Sequence, residues 1–271
     1  IQFPSDLTMG SVALLHAQAD GSFKPVHLAQ RLGRIADAQA HDVDADGDLD
    51  LVVAEFGWRG VGSLFILENI TPEGQALPAR FRKKVLEART GAVQVVVADL
   101  DGDGTLDVAS AFAQEHETVL AFFQRDAGHF ERRVLFAAPH PNWGFNALAQ
   151  ADLDGDGDVD LIMANGDSMD EATPLKPYHG VGWLENDGSG TFSEHRLASY
   201  FGATGLSTVD IDGDGDLDIV VNSWLPPQAA PAGSPGHDLP GVICYEQGAP
   251  GVFESRPLVA TPLSSPTHAV G

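Results

Sequence analysis

The chain has 271 residues, 43% of them hydrophobic, which is enough for a full buried core. Acidic residues outnumber Lys and Arg by 39 to 15, and the formal charge of −24 argues against nucleic acid and anionic membranes as partners. The single cysteine, Cys244, excludes an internal disulfide and a cysteine-based zinc site, and its apolar neighbours predict a buried thiol. No apolar run approaches the roughly 20 residues of a membrane-spanning helix, and the start at Ile1 is typical of a mature form or of a piece of a longer protein.

From its first residues onward, the chain repeats two strand signatures in phase. A short apolar run is followed by a Phe and, five positions later, by a Leu. The apolar runs are residues 12–15, 64–67, 119–123, 181–184 and 242–245. The pairs that follow them are Phe23/Leu28, Phe81/Leu86, Phe130/Leu135, Phe192/Leu197 and Phe253/Leu258. Turn residues such as Asp126 and Gly128 separate the two halves, so each pair predicts an antiparallel hairpin.

Four Asp-rich segments of nine residues lie between these hairpins. We call them loop 1 (42–50), loop 2 (99–107), loop 3 (152–160) and loop 4 (210–218), and number their positions 1 to 9. Their first residues are spaced 57, 53 and 58 positions apart. Apolar runs flank each loop, so each repeat contains four strands, A to D, with the Asp loop between A and B. Because no stretch keeps a helical period, the pattern predicts an all-β propeller of four-stranded antiparallel blades.

The number of blades depends on the two ends of the chain. The sequence begins with strands C and D, and residues 266–271 resemble strand A, so four complete blades and one blade shared by the termini predict a five-bladed propeller. Residues 1–9 are candidates for the missing strand B, and an excerpt of a larger propeller is the alternative. We expect one domain over residues 1–271, because strand C at Val242 follows directly on the Pro-rich stretch 226–240.

The alternating acids of each loop predict a calcium site. Carboxylates at positions 1, 3, 5 and 9 can surround one centre together with the backbone carbonyl of position 7, and Gly at position 6 permits the sharp turn. Oxygen ligands without His or Cys favour Ca²⁺ over Mg²⁺ and zinc. Nineteen of the 39 acidic residues lie in these loops, and about four Ca²⁺ per chain would bring the formal charge from −24 to about −16. The predicted metal-site residues are Asp42, Asp44, Asp46, Asp48, Asp50, Asp99, Asp101, Asp103, Thr105, Asp107, Asp152, Asp154, Asp156, Asp158, Asp160, Asp210, Asp212, Asp214, Asp216 and Asp218.

An EF-hand is the competing interpretation of these loops. It requires Glu at position 12 and helices on both flanks. Position 12 is occupied here by Val53, Ser110, Met163 and Val221, and the flanks are strand-like. An acidic loop that only improves solubility would not repeat the same alternation four times, so a calcium loop of a β-propeller is the preferred interpretation.

The loop motif, for example Asp152-Leu-Asp-Gly-Asp-Gly followed by an apolar strand, resembles the FG-GAP or VCBS repeats of integrin α-subunit propellers and of many bacterial secreted proteins. The resemblance spans nearly the whole chain. It implies calcium between strands A and B of each blade, an extracytoplasmic location (secreted, periplasmic or cell-surface), and a role in adhesion or ligand binding. The chain lacks the seven evident repeats of the integrin pattern, so the resemblance does not extend to integrin-like partner recognition.

Propeller geometry predicts where a ligand would bind. In an up-and-down blade the A–B and C–D turns lie at one end, and the B–C and D–A connections lie at the other. Because the Asp loops occupy the first end, we predict a ligand site at the second. Candidates for stacking on sugar rings are Trp58, Trp143, Tyr178 and Tyr200, and candidates for contacting hydroxyls or carboxylates are Arg59, Lys176, His116 and His179. The same aromatic residues could instead fill the central channel.

Three functions are compatible with this sequence. The first is a binding or adhesion module for a polysaccharide or a protein. The second is an enzyme similar to polysaccharide lyases, with Tyr178, His179 and His116 as acid and base and Arg59 neutralising a substrate carboxylate. The third is a docking domain of a larger secreted protein. A transition-metal site at Glu115, His116 and Glu117 is a further alternative, although side chains alternate in direction along a strand.

Overall fold

The computed structural model describes residues 7–75, 79–126, 128–168, 175–226 and 239–259. Within these residues the chain forms eighteen β-strands and no helix. The predicted all-β fold is therefore confirmed. No helix in the described ranges has the length and apolar character needed to cross a membrane.

The strands form one two-stranded sheet followed by four antiparallel sheets of four strands each, in simple chain order. The N-terminal hairpin contains β1 (Gly10–Ala17) and β2 (Phe23–Leu32). Blade 1 contains β3 (Ile35–His41), β4 (Asp50–Glu55), β5 (Ser63–Asn69) and β6 (Phe81–Glu87). Blade 2 contains β7 (Ala92–Ala98), β8 (Asp107–Phe112), β9 (Thr118–Asp126) and β10 (His129–Ala137). Blade 3 contains β11 (Phe145–Ala151), β12 (Asp160–Asn165), β13 (Gly180–Asn186) and β14 (Phe192–Ser199). Blade 4 contains β15 (Ala203–Val209), β16 (Asp218–Ser223), β17 (Val242–Ala249) and β18 (Val252–Val259).

All five predicted C–D hairpins are present, and each Asp loop connects strands A and B of one blade. In the four blades, the central parts of strands B and C are buried on both faces, which explains why they read as continuous apolar runs such as the one in β12. Strand D forms the outer edge of each blade and carries charged residues, such as Arg82, Lys83 and Lys84 in β6. Charged side chains on an edge strand oppose unwanted pairing with other chains.

Neighbouring blades pack side by side through their first strands, in the order β3, β7, β11 and β15. Side chains of one A strand bond to the backbone of the next: the Asp37 carboxylate accepts the Val95 N–H at 3.0 Å, and the Gln94 side-chain carbonyl accepts the Leu148 N–H at 3.0 Å. Apolar clusters fill the spaces between blades 1 and 2, 2 and 3, and 3 and 4. The fully buried Cys244 lies in β17, as predicted from its apolar neighbours.

The N-terminal hairpin packs on blade 1 where a preceding blade would lie. Val12 and Leu32 share an apolar cluster with Val53, Phe65 and Leu67 of blade 1. Residues 7–9 form no strand, and no described strand completes the two-stranded sheet. The predicted strand A at 266–271 and residues 1–6 lie outside the described residues, so closure into five blades stays a prediction.

Candidate metal centres

Each Asp loop is a tight turn in which Asp carboxylates accept bonds from backbone N–H groups of the loop. Position 9 is also the first residue of strand B, so the loop connects two paired strands directly. The glycines at position 6 (Gly47, Gly104, Gly157 and Gly215) have φ values of 95°, 87°, 98° and 103°. These angles lie in the left-handed region that favours glycine, which confirms the predicted reason for Gly at this position.

The loops bring carboxylate oxygens together in sets of three. One oxygen from each member lies within 4.8 Å of the others. Positions 1 and 3 belong to every set, joined by position 5 in loops 1 and 3 and by position 9 in loops 2 and 4. The sets are Asp42/Asp44/Asp46, Asp99/Asp101/Asp107, Asp152/Asp154/Asp156 and Asp210/Asp212/Asp218. Four clusters could therefore bind metal ions.

In loops 1 to 3, the two oxygens of the position-1 carboxylate differ: one accepts a bond from the turn, and the other has no hydrogen-bond donor. Its Oδ2 accepts the N–H of the position-6 glycine at 2.9 to 3.2 Å in all four loops. Its Oδ1 is buried and accepts no hydrogen bond in Asp42, Asp99 and Asp152. Buried acceptors normally have a partner, so these oxygens fit a bound cation.

The carboxylate at position 9 joins the loop to strand C. Asp107 Oδ2 accepts the Leu100 N–H at 3.0 Å, and its Oδ1 accepts the Gln124 N–H at 2.8 Å. Asp50, Asp160 and Asp218 make the same pair of bonds. Burial raises the pKa of Asp50, Asp107 and Asp160 to about 6, although the backbone hydrogen bonds act in the opposite direction.

The three-carboxylate sets omit the residues at position 7. Asp48, Asp158 and Asp216 donate their backbone N–H to the position-5 carboxylate at 2.9 to 3.2 Å. Thr105 makes the same bond to Asp103 at 2.8 Å and adds a second from its hydroxyl at 2.6 Å. In the structure, the backbone N–H of position 7 therefore stabilises the turn by bonding to the position-5 carboxylate.

A buried side-chain amide connects each of loops 1 to 3 to the following blade, a feature that the sequence analysis did not predict. Gln124 of blade 2 donates to the Val43 carbonyl of loop 1 at 3.0 Å. Asn186 of blade 3 donates to the Leu100 carbonyl of loop 2 at 3.0 Å, and Gln247 of blade 4 donates to the Leu153 carbonyl of loop 3 at 2.9 Å. We call these residues the interblade amides. Each ends the buried part of a strand C, so aligning the repeats could have found them.

At the opposite end of the blades, three of the eight predicted ligand residues form one aromatic cluster. Trp143 and Tyr178 stack with ring centroids 5.2 Å apart and planes 8° from parallel. His179 contacts Tyr178 edge-on at 6.0 Å, and the nearby His140 Nδ1 lies 3.1 Å from the Tyr178 hydroxyl. Tyr178 and His140 are accessible to solvent, whereas Trp143 and His179 are buried.

Two buried residues with ionisable side chains, Lys176 and Glu117, lie near this cluster. Lys176 is 2% exposed and donates from Nζ to the Asp167 carbonyl at 3.0 Å. Glu117 is 4% exposed, and its Oε2 accepts the N–H groups of Gly144 and Phe145 at 3.0 and 3.2 Å. Both residues hold connections of blades 2 and 3 in place.

The other predicted ligand residues are spread over several blades. Trp58 is 45% exposed, with the Arg59 guanidinium 5.9 Å from its ring, on the connection between β4 and β5. His116 is half-buried between β8 and β9. Tyr200 is buried in the cluster between blades 3 and 4, and its hydroxyl donates to the Pro240 carbonyl.

Comparison with known proteins identifies the repeat. The family described as FG-GAP-like repeat matches residues 42–110, 99–163 and 165–221. No curated protein matches the chain significantly. The crystal structure of the Vibrio cholerae biofilm matrix protein Bap1 is similar, with a TM-score of 0.41 and 15% identity over 92% of this chain and 43% of that one. The Photorhabdus luminescens Tc holotoxin pore has a TM-score of 0.33 and 15% identity over 78% of this chain and 12% of that one. The chain therefore spans less than half the length of either protein.

Proposed function

Because the chain belongs to the FG-GAP-like repeat family, we propose that it is a calcium-stabilised binding module that acts outside the cytoplasm. The observation that supports this proposal best is the fourfold recurrence of a three-carboxylate set. Each of the four loops has at least one buried carboxylate oxygen that accepts no hydrogen bond, which supports a bound cation there.

Calcium is the metal that best suits these loops. The candidate ligands are carboxylates together with the position-7 carbonyl expected from the motif, with neither His nor Cys among them, and Ca²⁺ accepts such ligands in flexible geometry. A bound Ca²⁺ would offset the repulsion among the acids of each loop and fix the turn between strands A and B. In this proposal its role is structural, because loops of this kind hold adjacent strands together.

Ligand binding is assigned to the end of the blades opposite the Asp loops, with carbohydrate as the proposed ligand class. The support is the cluster of Trp143, Tyr178 and His140, in which the half-buried Tyr178 and the exposed His140 carry groups that can donate and accept hydrogen bonds. Aromatic faces with polar rims suit sugar rings. Residues 169–174 and 227–238, which belong to two predicted connections at this end, lie outside the described residues.

Calorimetric titration of metal-stripped protein with Ca²⁺ and, separately, with Mg²⁺ tests the metal assignment. We expect calcium to bind at several sites per chain, and Mg²⁺ to bind much more weakly. The Asp152→Asn variant should lose one site, because it removes the charge of a carboxylate whose Oδ2 accepts a bond from the turn and whose Oδ1 would face the metal. Equal affinity for the two ions, or no binding of either, would contradict the assignment.

Binding to an array of neutral and acidic glycans, with calcium present throughout, tests the ligand assignment. Tyr178→Ala should reduce binding to any glycan that the protein recognises, while Val85→Ala, at an exposed site on β6 of blade 1, should leave it unchanged. Failure to bind any glycan, or loss of binding in both variants, would contradict a carbohydrate site at this cluster.

A further inference from the structure

The four Asp loops are not chemically equivalent, and loop 2 differs most. Loops 1, 3 and 4 carry Asp at position 7, where loop 2 carries Thr105. Loop 2 also has a cation beside it: Arg125 follows the interblade amide Gln124, where the other blades have Ile70, Asp187 and Gly248. Loops 1, 3 and 4 therefore contain five carboxylates each. Loop 2 contains four carboxylates and lies beside the Arg125 guanidinium.

The Arg125 guanidinium pairs directly with two of the predicted metal ligands. Its Nη1 lies 2.6 Å from Asp101 Oδ2 at position 3 and 3.5 Å from Asp103 Oδ2 at position 5. Among the ion pairs of the described residues, only those of Arg125 reach a loop carboxylate. The remaining Asp103 oxygen accepts both bonds from Thr105, so both of its oxygens are engaged.

Charge placement on the neighbouring strands explains why Arg125 turns toward the loop. In blades 1, 3 and 4 the residue before the amide is acidic, and it pairs with a basic side chain of strand D. These pairs are Glu68/Arg82, Glu185/His195 and Glu246/Arg256. Blade 2 has Phe123 instead, and its strand D supplies Glu131, which holds Arg125 at 3.0 Å.

Loop 2 nevertheless keeps the features of a cation site. The Asp101 side chain is 8% exposed, and its Oδ1 accepts no hydrogen bond. Asp99 Oδ1 is buried in the same way, and Asp99, Asp101 and Asp107 form the three-carboxylate set of this loop. A metal can therefore enter, but it must share Asp101 with a fixed positive charge.

We propose that Arg125 makes loop 2 the weak calcium site of the protein. Loop 2 binds calcium only after the other three loops are filled. This proposal depends on the calcium-binding function proposed above. Affinity in carboxylate loops rises with the number of ligand charges, and a nearby cation repels the metal. On these grounds we expect loop 2 to bind calcium at least about tenfold more weakly than the other loops.

Calorimetric titration of the metal-stripped chain with Ca²⁺ tests the proposal. The wild type should show three tight sites and one weaker site. Arg125→Gln should strengthen the weaker site by about tenfold or more, whereas the charge-conserving Arg125→Lys should leave it weak. The matched control is Arg133→Gln, since Arg133 also contacts Glu131 and the Phe123 ring but makes no ion pair with the loop.

A loop-specific variant identifies which site is weak. Asp99→Asn should abolish the weak step and leave the tight sites intact, and Asp152→Asn should remove a tight site. Four equal sites in the wild type, or a weak site that Arg125→Gln leaves unchanged, would overturn this inference while leaving the proposed function standing. If the wild type bound no calcium at all, the proposed function would fail first.

Discussion

Position 4 of the Asp loops illustrates how one residue can strain a turn. Gly102, Gly155 and Gly213 occupy this position in loops 2 to 4 with φ values between 69° and 81°, and loop 1 has Ala45 at a φ of 60°. Left-handed backbone costs a non-glycine residue roughly 1 to 2 kcal/mol. Loop 1 therefore carries local strain that the other loops lack.

Replacing this alanine should stabilise the protein. Ala45→Gly removes the strain but adds freedom to the unfolded chain, so we expect a net gain of about 0.5 to 1 kcal/mol in unfolding free energy. Urea denaturation with saturating calcium measures it. The converse variant, Gly155→Ala, should lose a similar amount, because a Cβ there meets no atom within 4 Å and only the backbone is strained. If Ala45→Gly and Gly155→Ala changed the unfolding free energy in the same direction, this explanation would be contradicted.

Glu117 makes the stability of the opposite end depend on pH. Burial raises the pKa of its carboxyl from 4.5 to about 7, while bonds from Phe145 and Gly144 and the charge of Lys176 lower it and the charge of Asp167 raises it. Since the native state then holds the proton more tightly than the unfolded chain, stability falls as pH rises from about 4.5 to about 7.

The Glu117→Gln variant isolates this contribution. Gln keeps an oxygen that can accept the Gly144 N–H but cannot ionise, so the variant should gain stability relative to the wild type as pH rises through that window. Thermal unfolding of both proteins at pH 4.5, 6 and 8 measures the difference. A constant difference across these pH values would mean that Glu117 does not titrate in this range.

The interblade amides act at the scale of whole elements, because each joins one blade to the loop of the blade before it. Asn186 is 1% exposed and donates to two carbonyls, those of Leu100 in loop 2 and Val159 in loop 3, both at 3.0 Å. Leu100 in turn donates its N–H to Asp107 at 3.0 Å. Hydrogen bonds thereby connect the Asp107 carboxylate, the Leu100 backbone and Asn186 of the next blade.

Loss of an interblade amide should destabilise the fold. Asn186→Leu leaves two buried carbonyls without donors, so we expect a loss of roughly 2 to 4 kcal/mol in unfolding free energy. The matched control is Asn69→Leu in blade 1, where the equivalent amide is half-buried and its Nδ2 lies 3.4 Å from the Leu49 carbonyl. Chemical denaturation in saturating calcium compares them. If both variants lost a similar amount of unfolding free energy, the bond from the amide to the preceding loop would not be the cause of the loss.

The elements themselves were largely predictable, because the repeats align the strands five times over. Strands C and D, the Asp loops and the glycine turns follow from alternation, apolar runs and spacing alone. Pairwise contacts between blades were not predictable in this way. The bond from Asn186 to Leu100 joins residues 86 positions apart, and the same side chain at Asn69 behaves differently.

The candidate site was predictable in composition but only partly in geometry. Sequence spacing identified the loop carboxylates, but it did not indicate that position 9 would be buried with both oxygens bonded to backbone N–H groups. On the opposite face, Trp143 and Tyr178 were predicted individually, and their stacking depends on how blades 2 and 3 pack. Tyr200, predicted from the same pattern, lies in the core between blades 3 and 4.

At the scale of the whole molecule, acidic charge is concentrated at one end of the blades. The loops hold 19 of the 39 acidic residues, and the formal charge of the chain is −24. Repulsion of this kind opposes the compact state unless counter-charges are bound. Calcium in the loops would relieve it where it is strongest, and the position-9 carboxylates and the interblade amides would pass the effect to neighbouring blades.

Thermal unfolding with saturating Ca²⁺ and with excess EGTA, combined with metal analysis of the purified protein, tests this account most directly. A ligand that binds only the native state at about 100 times its dissociation constant adds about 2.7 kcal/mol per site, so several sites should raise the midpoint by more than about 10 °C. We predict that rise, together with three to four calcium ions per chain at saturation. An unchanged midpoint with no bound metal would contradict a structural role for the Asp loops.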